Sequence, residues 1–291
     1  MEQEREGERE GEREREGKRR EGGRRRLDIL LTERYPGISR NRARSEIMSG
    51  RVHVEGRPCS KPGMLYPRDA RITLLEPQRR YVSRGGIKLA GALDDLEINV
   101  EGLTILDVGA STGGFTDCLL QRGAGRIIAL DVGYGQLDWA LRRHPQVTVM
   151  ERFNIRHLKP QDLPTIPSLA VIDLSFISLR LVLPVLKESS IPGLLALVKP
   201  QFEVGRRDAG RGKGVIRDPR LHKAVLHDLT AFACSTGYCI AAITFSHLPG
   251  PRGNLEFFIH LKLSGGACSC PAGLEEKISA AVKRAHSELV K

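Results

Sequence analysis

Between Thr104 and Leu263 the chain repeats one pattern: a short run of Val, Ile, Leu and Ala, a break, a stretch with helical spacing, and another break. The runs fall at 104–109 (TILDVG), 126–132 (RIIALDV), 146–150, 169–174 (LAVIDL), 193–198, 238–246 and 255–263. Strands that alternate with helices make a parallel sheet wrapped by those helices. The last two runs break the rule. Only HLPGPRGN separates them, and so short a connection makes a hairpin. An α/β fold follows, its parallel sheet ending in an antiparallel hairpin.

The front of the chain has a different texture. Residues 1–25 are almost wholly Glu, Arg and Gly, with too few apolar side chains to offset the entropy of ordering, so a disordered tail is expected. Residues 26–80 then read as a compact α+β module. Leu27, Leu30 and Leu31 start a helix, YPG breaks it, Ser39 caps a second helix, and RVHVEG and RITLLE are short strands. Residues 81–86 read as a basic linker, an amphipathic helix from about Ile87 to Leu96 opens a larger domain at 87–265, and 266–291 reads as a C-terminal helical extension. Charge separates these parts. Residues 27–86 hold twelve Lys/Arg against six Asp/Glu, more than half of the chain's net +11. A basic patch of that kind implies a polyanionic partner, nucleic acid first.

Chemistry gathers at the carboxyl ends of the expected strands. LDVGASTGGFTDCLL is a strand, a glycine turn and a helix, and Gly109, Gly113 and Gly114 let backbone approach a ligand. The spacing is neither GxGxxG nor a Walker motif, which excludes a standard nicotinamide or nucleotide-triphosphate site. Asp107 lies near the end of that strand, where it could face a cationic ligand group. Asp131 ends the second strand, where an acidic residue accepts from a ribose diol, and Asn154 follows the third, placed to read an adenine edge. Such a row binds a nucleoside without a phosphate clamp, and S-adenosylmethionine fits it.

A second set lies beside the first. Asp173 ends the fourth strand, Lys199 ends the fifth in LALVKPQFE, Glu256 stands in the last strand among apolar neighbours, and Lys88 lies on the helix before the first strand. Two lysines and two acids can converge on one pocket. A ribose 2′-hydroxyl is a poor nucleophile. A lysine that takes its proton or stabilises the developing alkoxide, oriented by carboxylates and by a second lysine, answers that difficulty.

These motifs carry a resemblance. The hairpin-ended sheet resembles the Rossmann-like class I S-adenosylmethionine-dependent methyltransferases. Residues 26–76 resemble the S-four domain, through Arg26, Leu27, Asp28, Ser39, Arg40, Ala43, Arg44, Gly50, Val52, Val54, Gly56, Lys61, Pro62 and Gly63. Residues 26–263 together resemble the TlyA family, often called hemolysins, through YVSRGGIKL, GASTGGFTD, DVGYGQLDW, SFISL, KPQFE and GNLEFF. Lys88, Asp173, Lys199 and Glu256 match that family's K-D-K-E catalytic tetrad. The resemblance implies an FtsJ-like methyltransferase domain that uses S-adenosylmethionine and no metal. The cofactor residues expected are Asp107, Gly109, Ser111, Gly113, Gly114, Phe115, Asp131, Asn154 and Asp173. The substrate implied is a cytidine ribose of small- or large-subunit ribosomal RNA, within ribosomal subunits or particles. Arg26, Arg40, Arg42, Arg44 and Lys61 of the module, Arg84 of the linker, and Arg206, Arg211 and Lys213 of a glycine-rich basic loop would contact that RNA. The loop, GRRDAGRGKGVIRDP, reads as a mobile lid. The tail matches nothing in the family pattern, and 264–291 matches it weakly.

Two other classes compete. A non-catalytic RNA-binding assembly factor would not need the tetrad. A membrane-active hemolysin would need an apolar run of roughly 18 to 20 residues or a lytic helix, and neither is present. No apolar stretch follows the first methionine, so a cytoplasmic location and no membrane partner are expected. The six cysteines, Cys59, Cys118, Cys234, Cys239, Cys268 and Cys270, match no metal-ligand spacing and are expected as thiols.

Overall fold

The computed structural model describes residues 23–48, 50–75, 81–204, 214–264 and 273–290. The expected tail up to residue 22, the loop residues Arg206, Arg211 and Lys213, and Cys268 and Cys270 lie outside the described residues. The chain divides into two compact units, 1–78 and 79–291.

The first unit builds its core from one face of each of two short helices, α1 (Leu27–Arg34) and α2 (Arg40–Met48). Leu27, Leu30, Leu31, Ala43 and Ile47 pack against Val52, Val54 and Ile72. Those last three belong to an antiparallel sheet in which β2 (Val52–Val54) lies between β3 (Arg57–Cys59) and β5 (Ile72–Leu74). Glu55 and Gly56 both have left-handed backbones, which closes β2 onto β3 in a two-residue turn. A separate ribbon pairs β1 (Arg24–Arg26) with β4 (Leu65–Pro67). Ser39 Oγ accepts from the Arg42 amide at 3.3 Å, as expected of a cap.

The second unit is a seven-stranded sheet in the order β11-β12-β10-β9-β6-β7-β8. Its strands are β6 (Thr104–Val108), β7 (Arg126–Leu130), β8 (Val147–Met150), β9 (Leu169–Ile172), β10 (Gly193–Val198), β11 (Tyr238–Phe245) and β12 (Phe257–Leu263). Neighbours from β8 to β10 are parallel, and β12 runs antiparallel to both β10 and β11. Alternate residues face opposite layers. Leu106, Val108, Ala170, Ile172, Leu194 and Ala196 join one core, and Ile105, Leu169, Val171, Leu195 and Leu197 join the other. The second core is covered by α3 (Arg84–Asp95) and α4 (Gly114–Gln121), the first by α6 (Leu183–Glu188), α8 (Pro219–Ser235) and α9 (Leu274–Leu289). Two one-turn helices, α5 (Trp139–Arg142) and α7 (Pro200–Glu203), belong to the same unit.

Chain order reverses between β6 and β9, because the chain leaves β6 towards β7 and β8 and returns on the other side. Open α/β sheets bind ligands at such a switch point. Here the two strand ends touch. Gly109 has φ +88°, and a Cβ on it would stand 2.5 Å from the Asp173 carbonyl oxygen. Only glycine permits that approach.

Three expectations need correction. Residues 81–86 are no linker: Tyr81 is buried in a core, Ser83 Oγ caps α3 through the Gly85 amide at 3.3 Å, and the helix begins at Arg84. The helix expected within the extension 266–291 is present at 274–289, but it is part of the main core rather than an addition to it, since Leu274, Ile278, Val282 and Ala285 belong there. Cys59 and Cys118 are free thiols as expected, but Cys239 is disulfide-bonded.

Candidate active site

The four ionisable residues singled out above meet as two pairs. Lys199 follows β10 directly, and its Nζ stands 2.6 Å from Asp173 Oδ1, which follows the neighbouring strand β9. The same Nζ donates to Ser175 Oγ at 2.9 Å. Lys88, on the buried face of α3, donates to Glu256 Oε2 at 2.6 Å. Lys88 is 8 % exposed, Lys199 9 % and Glu256 0 %. Burial pushes the Glu256 carboxyl above its ordinary range, Lys88 and Lys199 pull it back, and Asp173 raises it again. All four therefore share one electrostatic neighbourhood.

Such a set costs stability. Replacing a buried ion pair by well-packed apolar residues is often neutral or stabilising, so four charges of which three are buried and Asp173 half-buried are poor glue. Charges retained against that cost, beside a cavity, mark a functional site. Gly250 shows how closely the set is enclosed. A Cβ there would stand 2.0 Å from Glu256 Oε1, the oxygen left without a hydrogen-bond partner among the described residues.

A cavity of about 410 Å³ opens at the carboxyl ends of β6, β7 and β9. Gly109, Asp131, Asn154 and Ser175 line it, with Leu130, Val132, Phe153, Ile155, Leu174 and Ile177 as apolar walls. Asp131 is fixed by the amides of Ser111 and Gly133, which donate to Oδ2 at 2.8 Å and Oδ1 at 2.7 Å. Each carboxylate oxygen keeps a lone pair for a diol. Asn154 Oδ1 accepts from the Arg156 amide at 3.1 Å, which orients the side chain at the rim. An apolar slot with a carboxylate at one end, lined by a single cation, Arg156, suits a nucleoside better than a polyphosphate.

The other expected cofactor residues stand differently. Phe115 is buried, its ring 6.3 Å from that of Phe258, and does not line the cavity. Gly113 and Gly114 serve packing: a Cβ on Gly113 would meet Leu141, and one on Gly114 would meet Ser83 Oγ at 2.1 Å. Asp107 is fully buried beneath the turn, with Oδ2 accepting from Thr116 Oγ1 at 2.6 Å and Oδ1 unpartnered among the described residues. Burial pushes its carboxyl up to about 7.

In the first unit, Asp28 is buried and ties two of the expected RNA contacts: Arg26 Nε stands 3.0 Å from Oδ1 and Arg40 Nε 3.2 Å from Oδ2. Arg26 holds that carboxyl below its ordinary range. Arg42 lies 3.5 Å from Glu46, while Arg44 and Lys61 are exposed. Arg84 is exposed in the second unit and donates to the Pro249 carbonyl at 2.9 Å.

Sequence reasoning gave no role to Ser175, Phe176, Glu203 or Gly250. Ser175 and Phe176 stand in SFISL and Glu203 ends KPQFE, so the signal was a polar or aromatic residue just beyond a strand end. Phe176 is the most conspicuous, 90 % exposed at the cavity wall with φ +67°.

A sheet in this order, with a nucleoside slot at its switch point and lysine–acid pairs beside it, defines an S-adenosylmethionine-dependent methyltransferase. The FtsJ-like methyltransferase family model matches residues 81–263, and the S4 domain model matches 25–72. The chain belongs to the TlyA family. It is 45 % identical over 267 residues to a candidate rRNA methyltransferase of Bacillus subtilis, YqxC, covering 91 % of this chain and 95 % of that one. It is 42 % identical to the 16S/23S rRNA (cytidine-2′-O)-methyltransferase TlyA of Mycobacterium tuberculosis, covering 89 % and 97 %. A solved structure of a hemolysin candidate from Streptococcus thermophilus superposes with a TM-score of 0.71 at 39 % identity, covering 91 % of this chain and 97 % of that one. Among the described residues no helix is long and apolar enough to cross a membrane, and no group of three or more His, Cys, Asp or Glu side chains is placed to hold a metal ion.

Proposed function

We propose that this chain methylates the 2′-hydroxyl of a cytidine ribose in ribosomal RNA, in the small subunit, the large subunit or both, working in the cytoplasm on subunits or particles. The observation that carries this reading is the Lys199–Asp173 pair, which reaches the wall of the nucleoside slot where Lys199 Nζ donates to Ser175 Oγ at 2.9 Å. S-adenosylmethionine, when bound, supplies an electrophilic methyl group on a sulfonium. Asp131 is the residue for its ribose diol, Asn154 for its adenine edge, and Gly109 for the close backbone approach.

Lys199 directs an N–H at the 2′-oxygen and stabilises the charge that builds there; as Nζ takes the hydroxyl proton it passes one of its own to Asp173, so the released proton ends on that carboxylate. Asp173 and Ser175 fix the ammonium in place. Lys88 and Glu256 form a second, buried pair that adds a cation behind the reacting oxygen without moving. Holding hydroxyl and methyl in line contributes much of the acceleration. Phe176, exposed at the mouth, offers a ring on which an unstacked base can lie. The basic first unit anchors the RNA.

Ribose-methylation mapping of rRNA from cells with and without this gene tests the reading. One or more 2′-O-methylcytidines should vanish without the gene and return with the wild-type chain but not with Lys199→Ala. An unchanged map would sink it.

A further inference from the structure

Glu203 lies four residues past Lys199, at the end of α7, and its carboxyl is buried enough to be raised above its ordinary range. Both oxygens reach across to the loop that follows β9. Oε2 accepts from Ser178 Oγ at 2.6 Å, and Oε1 accepts from the Leu179 amide at 2.8 Å. The loop it grips is the wall of the cavity, Leu174 to Ser178, and contains Phe176.

That loop is held in an unfavourable state. The Phe176 backbone is left-handed, a conformation that residues with a side chain rarely adopt, and its ring is turned to solvent. Left to itself, such a segment would relax its backbone and bury the ring. Contacts from the β10 side oppose this. Lys199 holds Ser175 at 2.9 Å, the Phe202 ring stands 4.9 Å from that of Phe176, and Glu203 fixes the far end of the loop. Lys199 is part of the proposed chemistry and Phe202 gives a ring contact only. Glu203 is the member with two directed bonds and no place at the reacting atoms.

We propose that Glu203 is a positioning residue, which clamps the Leu174–Ser178 loop so that it keeps both the nucleoside slot and the exposed Phe176 ring in their working geometry. This rests on the methyltransferase reading for its RNA-side consequences, and its cofactor-side consequence stands without them. The chemistry also specifies which substitution should rescue. A glutamine carbonyl oxygen can accept from the Leu179 amide, and its amide nitrogen can donate to Ser178 Oγ, whose hydroxyl turns to accept. Glutamine therefore keeps the clamp, and alanine removes it.

The test uses the full chain. For Glu203→Ala, the dissociation constant for S-adenosylmethionine by calorimetry should rise about tenfold, and amide exchange at 174–181 in the protein alone should quicken. The RNA KM should also rise by about tenfold with a smaller change in kcat. Glu203→Gln should recover most of each loss. Phe176→Ala should raise the RNA KM and leave the cofactor constant within about twofold, and adding Glu203→Ala to it should bring no further rise in that KM. Should Glu203→Ala lower the melting temperature while the cofactor constant and the KM stay put, the residue is only a structural cap and the proposal falls. Additive KM effects in the double variant would overturn it as well. If Phe176→Ala is silent with RNA while Glu203→Ala still weakens the cofactor, the base-stacking reading fails and the clamp on the slot survives.

Discussion

Lys199 sits where a strand runs out, and that position explains both its use and its vulnerability. Its ammonium is held at two points, by Asp173 at 2.6 Å and Ser175 at 2.9 Å. Lys199→Ala should lower the single-turnover methylation rate by about 10³-fold or more, since it removes a group that acts chiefly in the transition state. Lys199→Arg should fail almost as badly, because a planar fork cannot occupy a point position between a carboxylate and a hydroxyl, and arginine cannot give up its proton. Calorimetry with S-adenosylmethionine should show a smaller loss in either variant than in Glu203→Ala, as Lys199 does not line the slot and touches its wall only through Ser175. Wild-type turnover in Lys199→Ala with an unchanged melt would make the lysine an ordinary ion-pair partner. Gly250 makes a second case. Its φ is not left-handed, so alanine suits its backbone, but the added methyl would stand 2.0 Å from Glu256 Oε1. Gly250→Ala should thus push Glu256 off Lys88 and cut activity by about tenfold to a hundredfold while costing about 1–3 kcal/mol in stability from overpacking. A Gly250→Ala enzyme as active as the wild type would show that the Lys88–Glu256 geometry is unimportant.

Elements were more legible than their placement. The seven apolar runs emerge as the seven strands with ends shifted by no more than two residues, because strands buried on both faces leave a near-continuous apolar signature. Lys199 and Asp173 were readable as neighbours for a related reason: consecutive parallel strands end at the same edge. Other features were hidden by the limits of that logic. Residues 81–86 read as a basic linker, yet Gly86 is there for packing, since a Cβ on it would lie 2.3 Å from the Tyr81 ring and 2.7 Å from the Gly114 carbonyl. Glu203 and Gly250 act through loop geometry that no periodicity encodes. The terminal helix α9 was readable as a helix, but nothing in its sequence says which surface its apolar stripe covers. Its seat on α8 contains a histidine pair, His222 Nδ1 and His286 Nε2 at 2.9 Å, with the His222 ring tilted on Phe257 at 5.5 Å. Burial lowers His222 to about 4 and lowers His286 as well; Asp218 opposes both shifts, and His286 deepens that of His222. Between about 6.5 and 4 the unfolded chain binds the extra proton and the folded one does not, so this stability is complete above 6.5 and is lost as pH falls towards 4. His222 alone should contribute about 3 kcal/mol to that loss. Asp107, raised to about 7, acts in the opposite sense, which makes the difference between two proteins the useful quantity. Urea melts of the wild type and His222→Leu from pH 7.5 to 4.5 should show the wild type losing stability more steeply. Parallel curves would remove the histidine pair as the cause.

At the scale of the whole molecule the two units divide the work by charge and by cavity. The slot is lined by residues between Gly109 and Leu181, all in the second unit. The first unit holds the denser positive charge, but its cations are not equivalent. Arg26 and Arg40 neutralise the buried Asp28, so removing either leaves that carboxylate with one partner fewer and loosens a small core. Loss of RNA binding in such a variant would report misfolding as readily as a lost contact. Arg44 and Lys61 are exposed and make no ion pair among the described residues, so they report on RNA alone. The double variant Arg44→Glu with Lys61→Glu should keep its melting temperature and its S-adenosylmethionine affinity. Its affinity for an rRNA fragment should fall, and the slope of log K against log salt should become shallower by about one for each phosphate contact removed. The effect should be uniform across RNA sequences, because backbone contacts position a nucleic acid without reading it. If the double variant binds the fragment with the wild-type constant and slope, the first unit is not the anchor. The basic residues of the second unit, Arg84, Arg152 and Arg156 among them, would then have to hold the RNA, and the same salt series on their glutamate variants would show it.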